Sequence, residues 1–193
     1  MADYYTTNLK VKVETTFSRA AEGGTGAAKC GGNYGAAFYP TQQANDQGFD
    51  QVLWTDGTYH EFIEESGTMN IMFILDGVLV TPPLGGSILD GVTRDSLLTL
   101  AKADGIPVEE RKISYNTLED AFRSGKTVEA FGVGTAAMVS PIEAIDIRGN
   151  TYYPNAAPGA WMYRLKNELQ AIHTGNKKDA YHWNYIIQTT PER

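Results

Sequence analysis

Lys29 is the only lysine between Lys12 and Lys102, and it sits in an unusual setting: Glu22-Gly23-Gly24-Thr25-Gly26-Ala27-Ala28-Lys29-Cys30-Gly31-Gly32-Asn33-Tyr34. A lysine amine can form a Schiff base with a carbonyl cofactor, and neighbours as small as Gly and Ala leave room for close approach. A solvated loop lysine explains the same residue, and on chemistry alone that reading is favoured. Tyr34, five residues further on, is spaced to donate a hydrogen bond to a phenolate-like oxygen of such a cofactor, or to serve as a core tyrosine.

Two further segments suit an anion. Gly91-Val92-Thr93-Arg94 follows a strand and a Gly-rich loop and opens a helix, whose first N–H groups lack partners and carry the positive end of the helix dipole. Gly132-Val133-Gly134-Thr135-Ala136 follows another strand and suits a backbone anion nest. An ordinary helix start and a plain strand end are the competing readings. Glu64-Glu65-Ser66-Gly67-Thr68-Met69-Asn70 joins two apolar strands, so the alternation of a strand turns one carboxylate outward and its neighbour inward. A buried carboxylate needs a cation, and a protonated pyridine nitrogen is one. A charged turn with both acids in water is the alternative. His60, His173 and His182 have no spacing typical of metal ligands or of a catalytic triad and read as surface or structural residues; no metal is expected.

Composition narrows the classes. A formal net charge of −7 argues against nucleic acid, whose binding needs clustered Lys and Arg. The single cysteine, Cys30, excludes an intrachain disulfide framework and makes the cytoplasm the default location. No run approaches the roughly 20 apolar residues of a membrane span, and no signal peptide opens the sequence, so no membrane partner is expected.

The elements that must position these residues can be read from periodicity. Leu9 to Phe17 alternates as a strand, and Gly35 to Gln47 reads as a helix ended by Gly48. Strands follow at Gln51 to Thr55, His60 to Glu64 and Asn70 to Leu75, with Asp56-Gly57 and Asp76-Gly77 as hairpin turns. Val78 to Thr81 is a strand, and Asp90-Gly91 opens a helix closed by Gly105. Strand Val108 to Ser114, helix Leu118 to Arg123, strand Val128 to Gly132, a strand pair around Ile142 to Tyr153 and a helix from Ala160 to Ile172 complete the chain. The economical architecture is one α+β domain with a mixed sheet.

Taken together, these motifs resemble the fold-type IV, class IV pyridoxal-phosphate-dependent aminotransferases, and specifically the branched-chain amino-acid aminotransferases. Phe17-Ser18-Arg19-Ala20, Gly23-Gly24-Thr25-Gly26 and Lys29-Cys30-Gly31-Gly32-Asn33-Tyr34 are similar to the segment bearing the Schiff-base lysine. Glu65-Ser66-Gly67-Thr68-Met69-Asn70 is similar to the segment whose glutamate meets the pyridine nitrogen. Thr81-Pro82-Pro83-Leu84, Ile88-Leu89-Asp90-Gly91-Val92-Thr93-Arg94 and Gly132-Val133-Gly134-Thr135-Ala136 are similar to its phosphate-cradling segments.

The resemblance implies the large domain of the D-amino-acid aminotransferase-like fold and pyridoxal 5′-phosphate as cofactor. It makes Lys29 the Schiff-base residue and the base that moves the substrate proton, Glu65 the partner of the pyridinium and Tyr34 a donor to the ring oxygen. Leu89, Gly91, Val92, Thr93, Gly134 and Thr135 would border or hold the phosphate. Thr68, Thr135 and Ala136 would receive the substrate carboxylate. The implied reaction carries the amino group of leucine, isoleucine or valine to 2-oxoglutarate in a homodimeric full-length enzyme. Ala136-Ala137-Met138-Val139-Ser140 stands where some relatives carry a CxxC pair, so no thiol switch is expected there. Residues 1–193 are expected to form a single C-terminal cofactor-binding domain without the family's small domain. A non-catalytic cofactor-binding domain and another fold-type IV enzyme, such as a D-amino-acid aminotransferase, are the alternatives.

Overall fold

The computed structural model describes residues 8–187. Strand β1 (Leu9–Glu14) buries Leu9, Val11 and Val13 and turns the intervening residues outward, as their alternation requires. It stops before the expected Phe17 because the Glu14 carboxylate accepts the N–H groups of Thr16 and Phe17 at 2.7 and 3.0 Å and curls the chain out of the sheet. Helix α1 (Gly31–Asp46) starts four residues earlier than its sequence suggests. Asn33 explains the early start: its amide donates to the carbonyls of Thr25 and Ala28, both at 2.9 Å, and fastens the first helical turn beneath the Lys29 loop.

Then come β2 (Gln51–Thr55), β3 (Ile63–Ser66), β4 (Met69–Leu75) and β5 (Val78–Thr81). Asp76 and Gly77 both have positive φ, at 52° and 85°, and make the expected tight hairpin between β4 and β5. Asp56-Gly57 does not make one. The Asp56 carboxylate instead accepts from the backbones of Thr58, Tyr59, Glu61 and Phe62 and organises a longer loop, which delays β3 to Ile63. Helix α2 (Val92–Ala103) precedes β6 (Val108–Glu110), which is shorter than the expected strand; Ser114 leaves it to cap α3 (Tyr115–Arg123) by accepting the Thr117 N–H. The chain continues through β7 (Val128–Gly134), β8 (Met138–Ile147), β9 (Asn150–Tyr152) and α4 (Trp161–His173).

The nine strands form one mixed sheet, ordered β3-β2-β1-β8-β7-β4-β5-β6, with β9 beside β8. β1 runs parallel to β2 and β8, and β5 parallel to β6, while the other pairs are antiparallel. Because β3 also pairs with β4, strands β1, β2, β3, β4, β7 and β8 close into a ring, and β5 and β6 extend from it. Strand β4 is apolar apart from Asn70 because both its faces are covered. Ile71 and Phe73 join one core with β1, β8 and α3, and Met72 and Ile74 join another with α2 and α4. Buried Glu129 on β7 accepts the backbone N–H groups of Trp161 and Met162 at 3.0 Å, tying the start of α4 to the sheet. Among the described residues no helix is long and apolar enough to cross a membrane, and no group of three His, Cys, Asp or Glu is placed to hold a metal.

Candidate active site

The Lys29 loop, the β3–β4 turn, the start of α2 and the β7–β8 turn border one cleft of about 580 Å³. Its walls include Lys29, Tyr34, Glu65, Thr68, Leu89, Gly91, Val92, Thr93, Gly134, Thr135 and Ala136, which are all the residues singled out from sequence. Met69, Asn70, Val133 and Ala137 complete the lining. Lys29 is exposed at this cleft, and its amine has no hydrogen-bond or ion-pair partner among the described residues.

The loop that presents Lys29 is held through its backbone. Ala27 donates to the Gly86 carbonyl at 3.0 Å, and Thr25 donates its hydroxyl to Asn33 at 2.8 Å. Gly26 is buried so closely that an added Cβ would lie 2.5 Å from the Ser87 carbonyl carbon. The small residues therefore close one loop onto another, in addition to leaving room for a ligand. Gly26→Ala is expected to destabilise the chain by at least about 2 kcal/mol, because backbone must move aside. Urea unfolding checks this, and a loss under roughly 0.5 kcal/mol would contradict it.

Glu65, at 2% exposure, is the buried carboxylate of the pair. One oxygen accepts the Leu89 N–H at 2.8 Å, and the other lies 3.2 Å from Arg19 Nε. That Nε contact is an ionic approach without hydrogen-bond alignment, since the N–H finds no acceptor. Burial pushes the Glu65 carboxyl up to about 7, against the opposing pull of Arg19 and the Leu89 N–H. Glu64 is not the solvated neighbour that alternation suggests. It is partly buried, accepts the Ser87 hydroxyl at 2.5 Å, and is also raised by burial. The sequence reading assigned no role to Arg19, which is itself buried and donates through Nη2 to the carbonyls of Gly26 and Ser87. It thus grips the Lys29 loop and faces Glu65 at once. The only signal for it was its place in the Phe17-Ser18-Arg19-Ala20 run.

Gly91 is the N-cap of α2 and supplies no side-chain cap, so the first-turn N–H groups beside Val92 and Thr93 remain available to an anion. Buried Arg94 fixes this end by donating to the Pro82 carbonyl at 3.0 Å and to Glu110 at 2.8 Å. Across the cleft, Gly134 pairs with Met138, and Thr135 and Ala136 lie exposed in the turn between β7 and β8. A Cβ on Gly132 would lie 2.7 Å from Met69 Cε, so glycine in β7 makes space for the methionine on the cleft wall.

Residues 4–145 match the amino-transferase class IV family, and the chain belongs to that family. The probable branched-chain-amino-acid aminotransferase of Staphylococcus epidermidis strain RP62A is 42% identical over 181 residues, which are 93% of this chain and 51% of that protein. The branched-chain amino acid aminotransferase from Escherichia coli superposes with a TM-score of 0.76 at 30% identity, covering 91% of this chain and 56% of that one. The branched-chain amino acid aminotransferase from Thermobaculum terrenum in its PLP-form gives a TM-score of 0.71 at 26% identity, covering 86% of this chain and 51% of that one. The chain thus spans about half the length of the relatives it matches.

Proposed function

We propose that this chain is the cofactor-binding part of a branched-chain-amino-acid aminotransferase, which uses pyridoxal 5′-phosphate to pass the amino group of leucine, isoleucine or valine to 2-oxoglutarate. The observation that carries this reading is the convergence of Lys29, buried Glu65 and the uncapped start of α2 on one cleft. The cofactor fits the residues present, because the buried Glu65 carboxylate borders the cleft with only an unaligned Arg19 contact as its cation, and α2 offers donors to a phosphate. When bound, it supplies a carbonyl carbon that captures amines and a ring that accepts the electrons freed when a Cα–H bond breaks.

The side chains then divide the work. Lys29 Nζ is the amine that would hold the cofactor's carbonyl carbon and, once released, would serve as the base for the substrate Cα proton. Glu65 keeps the ring nitrogen protonated, and Tyr34 donates to the ring oxygen. The N–H groups of Val92 and Thr93, together with the Thr135 hydroxyl, would hold the phosphate, with Leu89, Gly91 and Gly134 bordering it. Thr68, Thr135 and Ala136, which line the same cleft, would receive the substrate carboxylate. Residues 1–193 would act as one cofactor-binding domain. A cytoplasmic homodimer is the proposed state of the full-length enzyme, supported by the single cysteine and by Phe38 and Tyr39, exposed on α1 at 77% and 62%.

Incubation with pyridoxal phosphate and leucine, isoleucine or valine is expected to give the matching 2-oxoacid and pyridoxamine phosphate, and added 2-oxoglutarate should then yield glutamate. D-Alanine should be inert. Faster turnover of D-alanine than of leucine would overturn the substrate assignment. A second reading is a chain that binds cofactor without turning over, with the Lys29 amine exposed at the mouth of an open cleft. Cofactor capture with no 2-oxoacid from any of these amino acids would establish it.

A further inference from the structure

The reading of the cleft as a pyridoxal phosphate site leaves one of its linings without a role. Asn70 is 6% exposed and lies directly opposite Glu65 in the β3–β4 pair. Its amide donates to the Leu89 carbonyl at 2.8 Å, while Glu65 accepts the Leu89 N–H at the same distance. One residue of the loop is therefore gripped at its N–H and its C=O by two side chains that face each other across the sheet. Only Asp90 and Gly91 separate that residue from the first turn of α2.

Gly91 reports how closely the grip is fitted. Its φ of −82° and ψ of 127° suit any residue, so backbone conformation does not require glycine there. The requirement comes from Asn70, because a Cβ on Gly91 would overlap Asn70 Oδ1 and lie 3.3 Å from its Cγ. The next neighbour, Arg94 Cβ, would stand at 3.6 Å, an ordinary contact.

We infer that Asn70 is a positioning residue that sets the distance between the Glu65 carboxylate and the anion-binding turn of α2, so that the ring end and the phosphate end of one ligand are bound in register. The inference rests on the proposed cofactor site and adds a device within it. Asn70 touches no reacting atom. It acts through the backbone of Leu89.

The test uses pyridoxal 5′-phosphate and unphosphorylated pyridoxal as probes of wild type, Asn70→Ala, Asn70→Asp, Gly91→Ala and the Asn70→Ala/Gly91→Ala double variant. Affinities come from absorption titration, and thermal midpoints of the cofactor-free proteins are measured alongside. Asn70→Ala and Asn70→Asp should each weaken pyridoxal phosphate about tenfold and pyridoxal by less than about twofold, since only the phosphate increment depends on register. An isosteric Asp that behaves as Asn would mean mere packing and overturn the inference. Gly91→Ala should lower both phosphate-ligand affinity and the thermal midpoint in wild type, yet cost less than about twofold in affinity in the Asn70→Ala background, where the obstructing oxygen is gone. Additive effects of the two substitutions, or equal losses for both probes, would sink the inference while leaving the cofactor site intact. Failure of wild type to bind pyridoxal phosphate would sink the cofactor site itself, and the role of Asn70 with it.

Discussion

Lys29→Ala should leave a folded chain that no longer exchanges the Cα hydrogen of leucine. With pyridoxal phosphate present, deuterium uptake at Cα should fall by roughly four orders of magnitude, the upper range for losing a positioned general base. The same change should scarcely alter stability, because Lys29 is exposed and its amine holds no partner among the described residues. That separation of large chemical loss from small folding loss is the mark of a residue present for its chemistry. Added methylamine should restore part of the exchange, since a small amine can occupy the space left beside the cofactor. Exchange within tenfold of wild type would remove Lys29 from the mechanism.

Glu65→Gln should change how stability depends on pH before any cofactor is added. The Glu65 carboxyl titrates near 7 in the folded chain and near 4.5 unfolded, so between those values the folded state binds the extra proton. Stability therefore falls as pH rises through this window, by roughly 3 kcal/mol for the full shift. Glutamine removes that decline, leaving the smaller slopes of Glu64 and Glu129, whose carboxyls burial also raises. Asp56 and Asp179, held low chiefly by backbone N–H donors, act at more acidic pH and do not mask the effect. Urea midpoints from pH 5 to pH 7.5 would reveal it, and identical slopes in wild type and Glu65→Gln would contradict the account. A second cation seated against Glu65, in addition to Arg19, should oppose the trend, so pyridoxal phosphate should stabilise wild type near neutral pH far more than the variant.

What could be read from sequence follows from how each residue acts. Lys29, Tyr34, Glu65 and the start of α2 stood out through the family resemblance of their motifs, since spacing alone left bland readings open for each. Leu9, Val11 and Val13 gave the strand by their alternation, and Asp76-Gly77 gave the tight turn by its positive-φ preference. Arg19, Asn33 and Asn70 were illegible because their partners are backbone carbonyls, which every residue has. Arg19 meets the carbonyl of Ser87, 68 positions away, and Asn70 meets that of Leu89, 19 positions away. The early start of α1 was hidden for the same reason: Gly31 and Gly32 are poor helix formers, and hydrogen bonds from Asn33 to carbonyls of the preceding loop override their propensity. Closure of the strand ring through β3 and β4 is likewise a long-range result, since a two-residue turn at Gly67-Thr68 sets the pairing but not which other strands complete the circle.

The most direct test of the central claim is where the cofactor attaches. The chain is incubated with pyridoxal phosphate, reduced with borohydride, digested and mapped by mass spectrometry. The account predicts a single pyridoxyl-modified peptide containing Lys29, at one label per chain, and none in Lys29→Ala. Labelling spread over other lysines, unchanged in Lys29→Ala, would contradict it.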